Sequence, residues 1–317
     1  MTAKAFASRG DLEEKQETFV KLADNAWCLT AEGDPNTGVI IGDDGVMVID
    51  TRATPAMAED VIRHVRTVTD KPFKYVLLTH YHAVRVMGAS AYKADHIIAS
   101  QGTYELIKER GQQDFDSEVQ RFPRLFRSVE SVPGLTWPNL VFESALTLWL
   151  GRTEVQIRHI GKGHSKGDTI AFLPKERVLF AGDLVEEGTT PYCGDAYLEE
   201  WPATLERLRG FKAEKLVPGR GDAMMTAATS DAAIAATAGF LRDMRSAVEA
   251  GVKAGKDLKA VFEETSRKLQ PKYGQWVIFE HCLPFNISRC FDEVSGIADP
   301  RIWTAERDIE MWKSLQG

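Results

Sequence analysis

The chain has few cysteines, no long apolar run and no excess of positive charge, and each absence removes a class of function. Cys28, Cys193, Cys282 and Cys290 form no CxxC pair, so neither a zinc knuckle nor a disulfide framework is implied, and buried free thiols in a reducing compartment are expected. No stretch approaches the roughly 20 apolar residues of a membrane span. The first 21 residues carry charges throughout and lack the apolar segment of a signal peptide, so a soluble, cytoplasmic protein is expected. With 39 Lys and Arg against 46 Asp and Glu, the net charge is −7. That balance speaks against a general nucleic-acid or membrane-surface partner. No internal repeat or low-complexity tract appears. What remains is 317 residues at 44% hydrophobic, enough for one large domain or one domain with an appendage.

The first two-thirds alternates β-type runs with helical patterns. Val39–Ile41 and Val46–Ile49 flank Gly42-Asp-Asp-Gly45, a hairpin signal. Thr54-Pro55 opens a helix to about Thr67. Strands are expected at Tyr75–Thr79 and Ile97–Ala99, with a helix over Ser100–Arg110. Further hairpins are expected over Leu146–Leu150 with Val155–Ile160, and Thr169–Leu173 with Val178–Ala181. A helix over Pro202–Leu208 and a strand at Lys215–Val217 follow. Residues 111–139 are poorly periodic and read as a long cover or substrate loop. From 223 onward the helical spacing of Ala-rich segments predicts a helical extension, giving units 1–222 and 223–317. Its Ala-rich helices offer a face for a homodimer.

Chemistry concentrates where strands end. His80-Tyr-His82 follows Tyr75–Thr79, and two imidazoles two residues apart at a strand mouth form a metal clamp. Gly161-Lys-Gly-His164-Ser-Lys-Gly-Asp168 follows the strand through Ile160. Phe180-Ala-Gly-Asp183 ends another, and Pro218-Gly-Arg220-Gly ends the last. His64, His96 and His159 stand apart from these edges and read as structural. Asp50 and Asp168 read as turn or supporting residues, of the kind that fix the rings of metal-binding histidines.

In order and strand context, these four motifs over residues 25–222 resemble the metallo-β-lactamase superfamily, with its glyoxalase II and lactonase relatives. The resemblance implies an α/β fold, a four-layer αβ/βα sandwich, with the helical C-terminal extension added to it. It also implies a first metal site of His80, His82 and His164, with Asp183 as the carboxylate that bridges two ions in dinuclear members. The family pattern HxHxDH is broken: Val84 stands where the second site's aspartate belongs, Arg85 where its histidine belongs, and Arg220 replaces the last histidine. Valine cannot coordinate, and a guanidinium stays protonated. A single divalent ion is therefore expected, zinc first, with iron or manganese as alternatives. Arg85 and Arg220 restore the two positive charges lost with the second ion; they are expected to hold an anionic group of the substrate or to partner Asp183.

Three histidines around zinc leave a fourth position for water, whose pKa can fall from about 15.7 to about 7. The expected function is hydrolysis of a small, anionic ester, thioester, lactone or amide by that water, with Asp183 either a ligand or the group that orients or deprotonates it. Tyr192, in the loop after Asp183, is a candidate substrate contact. His281, in Glu280–Asn286, is a candidate acid, base or substrate contact. Two other readings stay open. One is a mononuclear non-haem iron oxygenase, by analogy with persulfide dioxygenases of the same superfamily. The other is a non-catalytic ligand-binding relative.

Overall fold

In the computed structural model, which describes residues 7–316, two β-sheets lie face to face between layers of helices. One sheet has seven strands in chain order: β1 (Thr18–Ala23), β2 (Ala26–Thr30), β3 (Thr37–Ile41), β4 (Val46–Ile49), β5 (Phe73–Leu77), β6 (His96–Ser100) and β7 (Leu140–Phe142). Its first four strands pair antiparallel, and β4 through β7 run parallel. The second sheet is ordered β12 (Lys215–Val217), β11 (Val178–Phe180), β10 (Ile170–Leu173), β9 (Thr153–Arg158), β8 (Ala145–Leu150), with only the β11–β12 pair parallel.

Three apolar layers hold the sandwich. Ile40, Met47, Leu77, Val155, Leu173 and Phe180 meet between the sheets. Behind the first sheet, Val48, Val76 and Leu78 pack on α1 (Pro55–Arg66), α2 (Ala83–Val86, a single turn) and α3 (Gln101–Arg121). Behind the second, Phe172, Leu179 and Leu216 pack on α4 (Trp201–Arg209), α5 (Ala227–Lys253), α6 (Leu258–Tyr273) and α7 (Phe279–Val294). The last helix, α8 (Ala305–Gln316), contributes Met311 and Leu315 to a smaller cluster with Tyr192, Cys282, Phe285 and Trp303. Strands covered on both faces read as unbroken apolar runs, which is why Val46–Ile49 and Ile170–Leu173 stand out in the sequence. Caps fix the helix starts: the Thr54 hydroxyl accepts from Met57 N with Pro55 at the first helical position, and Ser100 accepts from Thr103 N.

One expectation fails in this region. Residues 111–121 are not loop; α3 continues to Arg121, and short 3₁₀ turns follow at Pro123–Phe126 and Val129–Ser131. The helical period was hidden because the buried face of α3 is polar. Arg110, Asp114, Ser117, Glu118 and Arg121 all point inward, so apolar spacing carries no signal there. Strands β1, β2 and β7 also lie outside the sequence-based assignment; β1 and β7 are the exposed edges of their sheet. The four cysteines are buried and free. No helix among the described residues is long and apolar enough to cross a membrane.

Trp201 anchors the layer behind the second sheet: it is fully buried at the start of α4, and its indole N–H donates to Leu184 O at 3.2 Å. Trp201→Ala is expected to lower stability by about 3–5 kcal/mol, read as a shift of the urea midpoint with an unchanged slope.

Candidate metal centre

His80 and His82 leave the end of β5, His164 stands in the turn after β9, and Asp183 follows β11. The three imidazoles converge with ring centroids 4.7–4.9 Å apart, all buried, with one nitrogen of each lying within 4.8 Å of the others. Their outer partners fix which nitrogen is bare. The His164 Nδ1 lies 2.8 Å from Tyr192 O; a carbonyl only accepts, so Nδ1 carries the proton and Nε2 is a lone pair. His82 Nε2 faces Asp195 Oδ2 at 3.3 Å, which leaves its Nδ1 pointing inward. The Thr79 hydroxyl donates to Asp50 Oδ2 at 2.8 Å and so accepts from His80 Nδ1 at 2.9 Å. His80 Nε2 is then a buried lone pair with no hydrogen-bond partner.

Two of those inward nitrogens, His82 Nδ1 and His164 Nε2, are 2.9 Å apart. At that distance the two nitrogens share a proton, which His82 Nδ1 donates to His164 Nε2, or a cation that takes its place. Burial holds the His80 and His164 imidazoles neutral, His164 down to about 3. His82 is different: burial opposes its charge, but Asp114, Asp195 and Glu118 outweigh it and raise the pKa to about 9. A site with two neutral imidazoles and a third that attracts positive charge suits a divalent ion, which displaces that proton on binding. The donors therefore fit a metal.

Asp183 completes the centre. Its Oδ2 is 3.7 Å from His80 Nε2 and 3.6 Å from His164 Nε2. An Nη of Arg85 donates to its Oδ1, and Arg220 Nη1 donates to Oδ2 at 3.2 Å. Burial works against its charge, but Arg85 first, then His80, His164 and Arg220, hold the carboxyl far below the usual range. Gly219 makes this possible, since a Cβ there would lie 2.2 Å from Asp183 Oδ1 and 2.9 Å from Arg85 Nη2.

The family model described as the metallo-beta-lactamase superfamily matches residues 30–220. The chain belongs to the metallo-β-lactamase superfamily. It is 27% identical over 215 residues to a metallo-beta-lactamase type 2 of Bacillus sp. (strain 170), covering 63% of this chain and 75% of that protein. It is 28% identical over 210 residues to the 2,4-dinitroanisole O-demethylase subunit alpha of Nocardioides sp. (strain JS1661), covering 65% and 58%. The solved metallo-beta-lactamase from Pontibacter korlensis shares the fold with a TM-score of 0.57 at 20% identity, covering 72% of this chain and 99% of that one.

The surroundings of Asp183 are strongly cationic. Of the two roles open to the arginines, both guanidinia take the one facing Asp183. Arg85 is fully buried, with its Nη atoms donating also to Asn36 O at 3.1 Å and Gly219 O at 2.7 Å. Arg220 also donates to both oxygens of Glu186, at 3.3 Å from Nη1 and through its backbone N–H. Arg85 Nη2 is thus engaged by Asp183 and Gly219, and Nη1 by Asn36. Val84 N donates to Glu118 Oε2 at 2.9 Å and Ala83 N to Asp114 Oδ2 at 2.7 Å, so two acids of α3 clamp the α2 turn. Tyr192 is nearly buried, its ring 5.5 Å from that of His82; its carbonyl holds His164. His281 lies 4.0 Å from the Phe122 ring, and burial, then Arg121 and Arg220, keep it neutral. Asp168 accepts from Ser165 N and Oγ and so shapes the turn beside His164.

Asp195 and Glu186 have no motif around them and were not legible as site residues. Asp195 fixes the tautomer of His82 and is itself held by Arg110 Nη1 at 3.3 Å. Asp195→Asn is expected to weaken metal affinity by about 10–100-fold, measured by competition with a chromogenic chelator, with the fold intact by circular dichroism.

Proposed function

We propose that this protein is a mononuclear metal-dependent hydrolase of a small ester, thioester, lactone or amide. The observation that carries the reading is the convergence of three buried imidazole nitrogens beside an ionised carboxylate. A divalent ion held by His80, His82 and His164 supplies Lewis-acid polarisation of a carbonyl and acidifies water. Zinc suits the donor set best, since iron sites of the facial type use two histidines and one carboxylate.

Asp183 Oδ2 faces the triad as a hydrogen-bond acceptor for the attacking water. Held anionic by two guanidinia, it is too weak a base to remove a proton at neutral pH; it orients the water instead. Arg85 and Arg220 keep that oxygen aimed and balance its charge. A single ion is supported by the position of Arg85, which takes up Asp183 Oδ1. The curated relatives are named for β-lactamase and O-demethylase activities; they differ among themselves, so they support the class of chemistry and leave the substrate open.

Metal analysis by mass spectrometry on protein purified without chelator is expected to give about one zinc per chain. Turnover across an ester, thioester and lactone panel is expected to vanish in His80→Ala. Two ions per chain overturn the single-ion reading. One iron with oxygen uptake overturns hydrolysis, and no ion even after reconstitution overturns both. Arg85→Ala, which strands the Asp183 carboxylate, is expected to cost about 3–5 kcal/mol of stability, measured by chemical denaturation.

A further inference from the structure

The side chains of the metal centre are shut in: His80, His82, His164 and Asp183 are 1–3% exposed. A centre that takes up an ion and a substrate needs a way in, so an element over it must move. Tyr192 marks where. Its ring lies 5.5 Å from that of His82 and 6.2 Å from that of His164. It also belongs to one apolar cluster with Cys282, Phe285, Trp303, Met311 and Leu315. A single aromatic residue thus joins α8, and the segment before it, to the triad.

That segment is fastened to the loop that holds two of the ligands. Residues 190–197 supply the Tyr192 carbonyl to His164 and the Asp195 carboxylate to His82. Tyr197 Oη donates to Asp299 Oδ1 at 3.1 Å. Arg110 Nη1 donates both to Asp195 Oδ1 at 3.3 Å and to Pro300 O at 3.2 Å. Trp303 Nε1 donates to Gly194 O at 2.9 Å. A Cβ at Gly194 would lie 2.2 Å from Tyr192 Oη and 2.9 Å from Trp303 Nε1, so the two surfaces meet with no room between them. Just upstream, the buried Arg289 of α7 donates to Ile297 O at 2.8 Å and Ala298 O at 2.6 Å, which fixes the root of the segment.

Beyond that root, α8 is held lightly. It buries only Asp308, Met311 and Leu315, whereas α7 buries twelve side chains. One of the three is an acid: Asp308 Oδ2 lies 3.4 Å from Arg121 Nε and accepts from Ser117 Oγ at 2.5 Å, while its Oδ1 takes no hydrogen bond. A buried ion pair regains hydration when it separates, so α8 leaves its seat at lower cost than a helix packed by apolar side chains alone. Elements with few buried apolar contacts open below the free energy of global unfolding.

We infer that residues 299–316 form a strap that closes the metal centre. Docked, the strap braces the loop that orients His82 and His164; its local release admits or frees the ion. This rests on the triad holding an ion, and extends that reading from which residues bind it to how it is reached.

Two buried thiols report the opening: Cys282 in the cluster beneath α8, and Cys28 between the sheets as the reference. Zinc-loaded protein is treated with a thiol reagent, labelling is mapped by mass spectrometry, and zinc loss to a chromogenic chelator is followed in parallel. In wild type, Cys282 is expected to label about tenfold or more faster than Cys28, with little dependence on low urea. Trp303→Phe keeps a ring but not the N–H. It is expected to raise Cys282 labelling and zinc loss by the same factor, about two- to tenfold, with Cys28 unchanged. Met311→Ala, on the docked face of α8, is expected to act in the same direction. Equal labelling of Cys282 and Cys28 in wild type overturns the strap, and so does an equal rise at both thiols in the variants, which is global destabilisation. Faster Cys282 labelling with unchanged zinc loss overturns its role toward the ion. Should Trp303→Phe not fold, Met311→Ala and the wild-type ratio decide. A chain that takes up no zinc refutes the metal reading, and the ratio of the two thiols then judges the opening by itself.

Discussion

The Asp183 carboxylate, gripped between two buried guanidinia, is the constraint around which the rest of the site is arranged. An unpaired carboxylate this deep would cost several kcal/mol, so Arg85 and Arg220 are required wherever Asp183 is kept anionic. Their own desolvation is offset by Asn36 O, Gly219 O and Glu186. The loop carrying Gly219 must therefore approach closely, and only a residue without a side chain allows it. One ionised oxygen thereby ties together β5, β11, β12 and the loops that follow them.

Around the histidines the organisation is of the opposite kind. Each imidazole is held from outside by an acceptor, whether the Tyr192 carbonyl, Asp195, or Thr79 backed by Asp50. The outer ring of acceptors forces the lone pairs inward. Metal affinity is in this sense written into the hydrogen-bond polarity of the surroundings as much as into the three ligands.

The sequence was legible where chemistry and strand ends coincide. His80, His82, His164 and Asp183 follow apolar runs that both sheets bury, so pattern and motif reinforce one another. It was illegible where a buried face is polar. The inner side of α3 carries Arg110, Asp114, Ser117, Glu118 and Arg121, and a period of charges reads as surface or loop. Asp195 and Glu186 sit in irregular segments, where only the folded chain shows what they touch. Arg85 and Arg220 were visible as departures from the family pattern, but their target, Asp183, became plain only from geometry.

The close fit of Gly219, Asp183 and the two arginines also bears on how such a site can change over generations. Replacing either arginine alone leaves a buried carboxylate short of a counter-ion, and any side chain at Gly219 collides with the pair. A lineage dismantling this arrangement would have to alter several contacting positions nearly together, with each single step less stable than its neighbours. The site is thus a ratchet: once both guanidinia are in place, the paired carboxylate is easy to keep and hard to leave.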